Sequence, residues 1–297
     1  DTRVNWKKAT GAHAFDLNSG VRYMYDAYIS EYAEGHNTGS DQIREMSASL
    51  LYKTVSGLDE PFKQLGYYGV VNYSFREKYF AEAALAVETS SRFGANPASG
   101  FNLLGVGWAV FPSINAAWLI SSEEFMKDLS FVNSLKLRAG IGSSGNDGIE
   151  STAARTYFQA VKYYNNATGV ELKNIANPAI QWETVTKRNV GLDAVLFNDR
   201  LTLTMDLYKN TTDNLLVMKQ MEPYSGIGMF WTNDGKLENK GAEFGFDARL
   251  VRTANFNLSI GASVATNKNR IVQLADGDYF TTAYGAEILT AENQPFG

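Results

Sequence analysis

The stretch FGFDARLVRTANFNLSIGASV, residues 244–264, places a large or apolar side chain at every second position on both sides of a turn. Phe244, Phe246, Ala248 and Leu250 alternate with Gly245, Asp247 and Arg249. After the turn, Phe256, Leu258, Ile260, Ala262 and Val264 alternate with Asn257, Ser259, Gly261 and Ser263. Successive side chains of a strand leave opposite faces, so a period of two predicts a hairpin with one oily face and one small, polar face. One of the two surroundings must therefore be apolar.

The same alternation extends in both directions from this hairpin. A strand over His13–Ala27 sets Phe15, Leu17, Val21, Tyr23 and Tyr25 against Asp16, Asn18, Gly20 and Arg22. A hairpin turning at 75–78 sets Tyr79, Ala81, Ala83, Leu85 and Val87 against Glu82, Ala84, Ala86 and Glu88. In LKLRAGIG, Leu135, Leu137, Ala139 and Ile141 oppose Lys136, Arg138 and Gly140. The stretch 187–210 turns at Asn198-Asp199, with Val190, Leu192, Ala194 and Leu196 leading in and Leu201, Leu203, Met205 and Leu207 leading out. Thr202, Thr204, Asp206 and Tyr208 line its other face. The count comes to about ten strands, joined alternately by tight turns near 9–12, 75–78, 197–200 and 251–255 and by long polar loops. Those loops are expected at roughly 28–65, 89–107, 143–180, 209–236 and 270 onward, longer than compact domains usually tolerate without a function.

Composition narrows the surroundings. The 297 residues hold no run of eighteen apolar positions, which excludes a spanning helix but not spanning strands of about ten alternating residues. Aromatics make up 13%, with 16 Tyr and 17 Phe, and Phe75, Tyr79, Phe80, Trp118, Phe197 and Phe256 gather at the short-turn end. Rings that are wet on one edge and oily on the other belong at a membrane–water boundary. With mixed charges, a net charge of −5 and no basic surface, nothing recommends nucleic acid. The absence of cysteine excludes disulfides, thiolate nucleophiles and Cys-bound zinc, and His13 and His36 stand apart without a companion ligand. Both ends read as interior to a longer chain, since Asp1–Trp6 opens inside a strand pattern and carries no signal-peptide features.

A sheet that is oily on one side could instead be a soluble sandwich or a long open sheet, with core on one face and water on the other. Two features favour the membrane. The strands run roughly 10–15 residues against five or six in soluble sheets. Their polar face is also rich in Gly, Ser, Thr and Asn rather than in Lys and Glu. In hydrocarbon every unpaired backbone group costs several kcal/mol, so such a sheet closes into a barrel and its polar face lines a lumen. The fold class read from the sequence is all-β, a segment of a transmembrane antiparallel barrel filling residues 1–297 as one partial domain.

Six segments occur in order: NYSFREKYFAEAAL…SSRFG (72–94), FPSINAAWLISSEEFMKD (111–128), LKLRAGIGSSGN (135–146), NPAIQWET (177–184), NVGLDAVLFNDRLTLTMDLYKNTTDNLL (189–216) and NKGAEFGF (239–246). Together they resemble the barrel of SusC/RagA-type TonB-dependent outer-membrane transporters, over about residues 66 to 270. The resemblance implies a 22-stranded barrel, with the present chain its mid-to-late part. It also implies an N-terminal plug, a box read by the TonB complex, a SusD-like surface lipoprotein partner, and import of oligosaccharides or peptides across the cell outer membrane. Plug and box are not found in these residues. One departure stands before Ser-Ser-Arg-Phe-Gly, where Ala86, Val87, Glu88 and Thr89 replace the family's Arg-x-Asp-Gly-like run. The readings from other classes are a soluble carbohydrate-binding β-protein and a passive porin or structural barrel.

No catalytic, cofactor or metal site is expected. GSSGN (142–146) reads as a turn, lacking the strand–nucleophile–helix setting of a serine elbow. Asp276-Gly277-Asp278 lacks the remaining ligands of a calcium loop. Asp193, Asp206, Glu243 and Asp247 are expected to pair with Lys136, Arg138 and Arg249 and set the lumen's electrostatics. For substrate contact the candidates are the loop aromatics Tyr163, Tyr164, Tyr224, Phe230 and Trp231, with Tyr157 and Phe158 nearby. The other reading of these rings is packing of the loops on one another or on the lipoprotein.

Overall fold

The computed structural model describes all residues except 44, 46–48, 163–166, 222–228, 275–276, 284–285 and 296–297. Its strands are β1 (Thr2–Thr10), β2 (His13–Thr38), β3 (Ser49–Phe75), β4 (Tyr79–Ser90), β5 (Phe101–Leu103), β6 (Val106–Leu119), β7 (Val132–Asn146), β8 (Tyr157–Lys162) and β9 (Thr168–Asn174). They continue with β10 (Glu183–Leu196), β11 (Leu201–Asp213), β12 (Leu216–Gln220), β13 (Met229–Asn233), β14 (Gly235–Arg252), β15 (Asn257–Leu274), β16 (Tyr279–Ala283) and β17 (Ala286–Thr290). One 11-stranded antiparallel sheet runs in chain order, β1-β2-β3-β4-β6-β7-β10-β11-β14-β15, with short β5 added on β6. The three remaining hairpins, β8–β9, β12–β13 and β16–β17, are separate two-stranded sheets carried by the long connections.

The register converts the period-two pattern into two continuous surfaces. One cross-strand row reads Lys7, Asp16, Asn72, Glu82, Asn115, Gly140, Asn189, Tyr208, Gly241, Asn267 from β1 to β15. The adjacent row, on the opposite face, reads Phe15, Tyr73, Ala81, Ala116, Ala139, Val190, Leu207, Ala242 from β2 to β14. A slip of one residue anywhere would exchange the faces, so the register is fixed wherever the oily face must stay out of water. That face stands uncovered: Ile114 is 61% exposed and Val264 60%.

Turn chemistry sets the short end. Arg76 (φ 54°) and Glu77 (φ 55°) both lie in the left-handed region, and the Lys78 amide donates to the Phe75 carbonyl at 3.0 Å. This two-residue primed turn matches the twist of the flanking strands. At 253–256 the Thr253 amide donates to the Phe256 carbonyl at 2.9 Å and the side chain reinforces the turn: Thr253 Oγ1 accepts from the Phe256 amide at 3.0 Å and donates to the Phe256 carbonyl at 2.9 Å. Phe256 is thus a turn residue, not the first of a strand, and Leu250 is the extra residue of a bulge between Arg249 and Val251.

At this end, on the oily face, an aromatic row runs His13, Phe75, Tyr79, Trp118 across four strands. The Tyr79 and Trp118 rings stack at 6.2 Å and 14°. Phe80 departs from the expected girdle: it points to the polar face, beneath Lys136, whose ammonium lies 5.9 Å from the ring centroid. The connector from β6 to β7 sends Glu123 back to the aromatics. It accepts from Tyr79 Oη at 2.6 Å, Trp118 Nε1 at 3.1 Å and Lys78 Nζ at 3.1 Å, which together hold its carboxyl down to about 2.

The opposite end corrects the expected loops. Residues 28–65 are chiefly sheet: β2 and β3 continue as a paired ribbon from His13↔Phe75 to Thr38↔Ser49. GSSGN is not a turn; β7 runs through Asn146, and Gly142 and Asn146 pair with Lys187 and Glu183 of β10. The alternation was masked in both places, by polar residues on each side of the ribbon and by small residues on each side of β7. Asp276 lies outside the described residues.

Candidate functional site

The polar face carries a concavity of about 760 Å³, with Lys7, Asp16, Asn72, Glu82, Asn115 and Arg138 among its lining. Its groups are tied across strands. Lys7 Nζ lies 3.0 Å from Asp16, and Asn5 Nδ2 donates to Asp16 and to Asn18, each at 2.7 Å. Asn115 Nδ2 donates to Glu82 at 3.0 Å. Arg138 forks onto Asp193 and reaches Asp206, 3.1 Å away. Of the expected lumen pairs, those of Arg138 with Asp193 and Asp206 form. Glu243 and Asp247 make no ion pair among the described residues, and Lys136 turns to the Phe80 ring. Donors and acceptors of both signs stand among alanines and Phe80, so the concavity carries no field of one sign.

Above the trough, at the long-connection end, sits the principal buried cluster among the described residues: Phe93, Ala109, Phe111, Ile149, Ala153, Ile180 and Trp182. It is built from connections laid on the top of β6, which contributes Ala109 and Phe111, and two of the quoted motifs meet in it. From SSRFG, the Gly94 amide donates to the Ile180 carbonyl at 2.9 Å, and Phe93 packs on Trp182 of NPAIQWET with ring centroids 4.2 Å apart. Asn233 clamps the second motif by accepting from the Gln181 amide at 2.8 Å and donating to its carbonyl at 2.9 Å. Arg92 lies on the Phe62 ring at 3.8 Å and donates to the Asp147 carbonyl at 3.1 Å. Sequence reasoning missed this cap because Phe93, Ile149, Ile180 and Trp182 lie in irregular segments with no period; their local concentration in otherwise polar connections was the available signal.

The aromatic candidates divide. Tyr163, Tyr164 and Tyr224 lie outside the described residues. Trp231 is half-buried in β13 against the cap, and its backbone carbonyl accepts from Asn177 Nδ2 at 3.0 Å. Phe230, its neighbour in β13, is partly exposed, and Phe158 in β8 is exposed at 64%.

Comparison with known proteins places this architecture. Residues 1–293 match the family model for the TonB dependent receptor-like beta-barrel. The TonB-dependent receptor P3 of Formosa agariphila is 30% identical over 280 residues, covering 93% of this chain and 27% of the relative. The TonB-dependent receptor SusC of Bacteroides thetaiotaomicron is 28% identical over 301 residues, covering 98% of this chain and 29% of that protein. The chain thus spans little more than a quarter of the length of these relatives. Among solved structures, the RagAB peptide transporter superposes with a TM-score of 0.83 at 22% identity, over 99% of this chain and 32% of that one. With a family match along nearly its whole length and a sheet of the same fold, this chain belongs to the TonB-dependent receptor β-barrel family, a family of receptors and transporters rather than enzymes.

Proposed function

We propose that the chain forms part of the wall of a SusC/RagA-like transporter in the outer membrane. In this reading the oily face meets lipid, the polar face lines the lumen, and the long connections face the exterior. The observation that carries it is the pair of adjacent cross-strand rows, one polar and one apolar, running through the sheet. The edges agree with it. Within the described sheet β1 pairs only β2 and β15 pairs only β14, so in hydrocarbon both edges need further strands of the same wall.

The transported solute is a polar oligosaccharide or peptide, uptake is driven by the TonB complex, and a SusD-like lipoprotein covers the outer mouth. The cross-strand donors and acceptors of the trough support a hydrogen-bonding cargo, and the names of SusC and the RagAB peptide transporter support energised import with a partner. Deleting the gene and following growth on single oligosaccharide or peptide sources tests this. Loss of growth on one such source, with co-purification of a surface lipoprotein, is the expected result. Undiminished growth on every polymeric source, with a product that is folded and soluble without detergent, would favour the soluble binding module instead.

A further inference from the structure

The outer face carries a row of like charges that the lumen cannot explain. Arg188 pairs with Lys209, Lys209 with Lys240, and Lys240 with Lys268, so four cations stand directly opposite one another on β10, β11, β14 and β15. Their parity is that of Val190, Leu207, Ala242 and Phe244, on the oily side. Like charges directly opposed on one face destabilise a sheet unless an anion lies among them. The chain supplies one carboxylate here: Glu238 lies 2.6 Å from Lys209, 3.5 Å from Arg270 and 3.8 Å from Lys240. Asp213, farther along β11, is engaged by Lys236 at 2.8 Å. Arg188 and Lys268, at the two ends of the row, make no ion pair among the described residues.

The row also has a definite height. From Leu196 to Arg188 the strand covers about 26 Å at about 3.3 Å per residue, which a tilt near 40° reduces to about 20 Å. From Leu258 to Lys268 the same arithmetic gives about 25 Å. The cations thus stand at the top of an apolar band about 25 Å tall, at the end away from the aromatic row. Directly beneath Arg188 and Lys209 the oily face is dented by a groove of about 580 Å³. Ala116 and Ala139 leave the depression, and Ile114, Ile141, Val190 and Leu207 wall it.

We infer that this row and groove hold one lipid of the outer leaflet, its phosphate headgroup among Arg188, Lys209, Lys240 and Lys268 and an acyl chain in the groove. The inference rests on the membrane-barrel reading, because only a bilayer presents phosphate and hydrocarbon at these two adjacent heights. Arg and Lys at such a boundary recognise phosphate by charge-assisted hydrogen bonds and by the field of the anionic surface.

The test uses the full-length gene product in neutral detergent, with native mass spectrometry after adding dioleoyl phosphatidic acid or, as the phosphate-free control, dioleoylglycerol. The wild type retains phosphatidic acid well above dioleoylglycerol. Each cation neutralised lowers that retention about fivefold, so the R188Q/K209Q/K240Q/K268Q variant retains essentially none. A139L, which fills the groove and leaves the cations, weakens retention of phosphatidic acid, whereas excess inorganic phosphate alone does not displace it. Heat-modifiable gel migration of every variant reports that the barrel has folded. Unchanged retention in a heat-modifiable quadruple variant, or equal retention of dioleoylglycerol by the wild type, would overturn the lipid site and leave the barrel standing. A wild type without heat-modifiable migration would overturn both.

Discussion

Arg138 on β7 lays its guanidinium along the carboxylate of Asp193 on β10, with Nε 2.7 Å from one oxygen and a terminal nitrogen 2.9 Å from the other. The same terminal nitrogen reaches Asp206 on β11. One side chain thereby ties three consecutive strands across the polar face, and the fork geometry is one that lysine cannot reproduce. All three side chains are about one-third exposed. R138Q should therefore cost about 1–2 kcal/mol of stability, less than a fully buried pair would. Denaturant unfolding of R138Q, D193N and the double variant in detergent checks this, and the singles should be clearly non-additive.

Gly191 makes that network possible. It pairs with both Arg138 and Asp206, and a Cβ there would lie 2.3 Å from an Asp206 oxygen and 2.7 Å from the Arg138 terminal nitrogen. G191A is expected to drive the two apart and lose about as much stability as R138Q. It should add little when combined with R138Q, because the same contacts are already gone.

The turn after β3 stores strain that can be released. Glu77 holds φ 55° with a full side chain, a conformation costing an L-residue about 1 kcal/mol or more. E77G should raise the unfolding midpoint by the equivalent of roughly 0.5–1 kcal/mol.

Trp231 and Phe158 separate packing from cargo contact. W231A removes a ring seated against the cap and should cost about 2 kcal/mol, read as faster hydrogen exchange at Phe93 and Trp182. F158A should leave stability within about 0.5 kcal/mol, so any change in cargo affinity in that variant reports on binding itself.

Glu123 sets a pH window. Its carboxyl is held from an ordinary 4.5 down to about 2 by hydrogen bonds from Tyr79, Trp118 and Lys78. A carboxyl depressed in the folded state contributes stability that is full above 4.5 and is lost as pH falls through about 2. The stability gap between wild type and E123Q should be flat above about pH 5 and shrink on acidification. A gap that is independent of pH down to 2 would contradict the hub.

The faces of the wall were legible because each spanning strand must commit one side to hydrocarbon. The alternation of Val190, Leu192, Ala194 and Leu196 against Asn189, Gly191 and Asp193 is therefore clean, and the register follows it. Beyond the apolar band that constraint lapses. The β2–β3 ribbon above Ala27 has polar residues on both faces and reads as loop, although backbone pairing carries it to Thr38. The cap reads poorly for the same reason: Phe93, Ile180 and Trp182 come from irregular segments whose contacts are set by tertiary approach, not by a period. Phe80 was misplaced because composition puts an aromatic near the turn but only parity decides its face. The cation row was hidden because Arg188, Lys209, Lys240 and Lys268 are scattered in sequence and become neighbours only through the register.

Accessibility across three adjacent strands, β10, β11 and β14, shows directly whether the two faces meet different solvents. Single cysteines at Leu192, Met205 and Phe244, and at Asp193, Thr204 and Gly245, would each be spin-labelled in the full-length product reconstituted in bilayers. The first three should be relaxed by oxygen dissolved in lipid and the second three by a water-soluble nickel chelate, alternating residue by residue. Equal exposure of both sets to the aqueous reagent would mean that the oily face does not meet lipid, and the transmembrane wall would have to be abandoned.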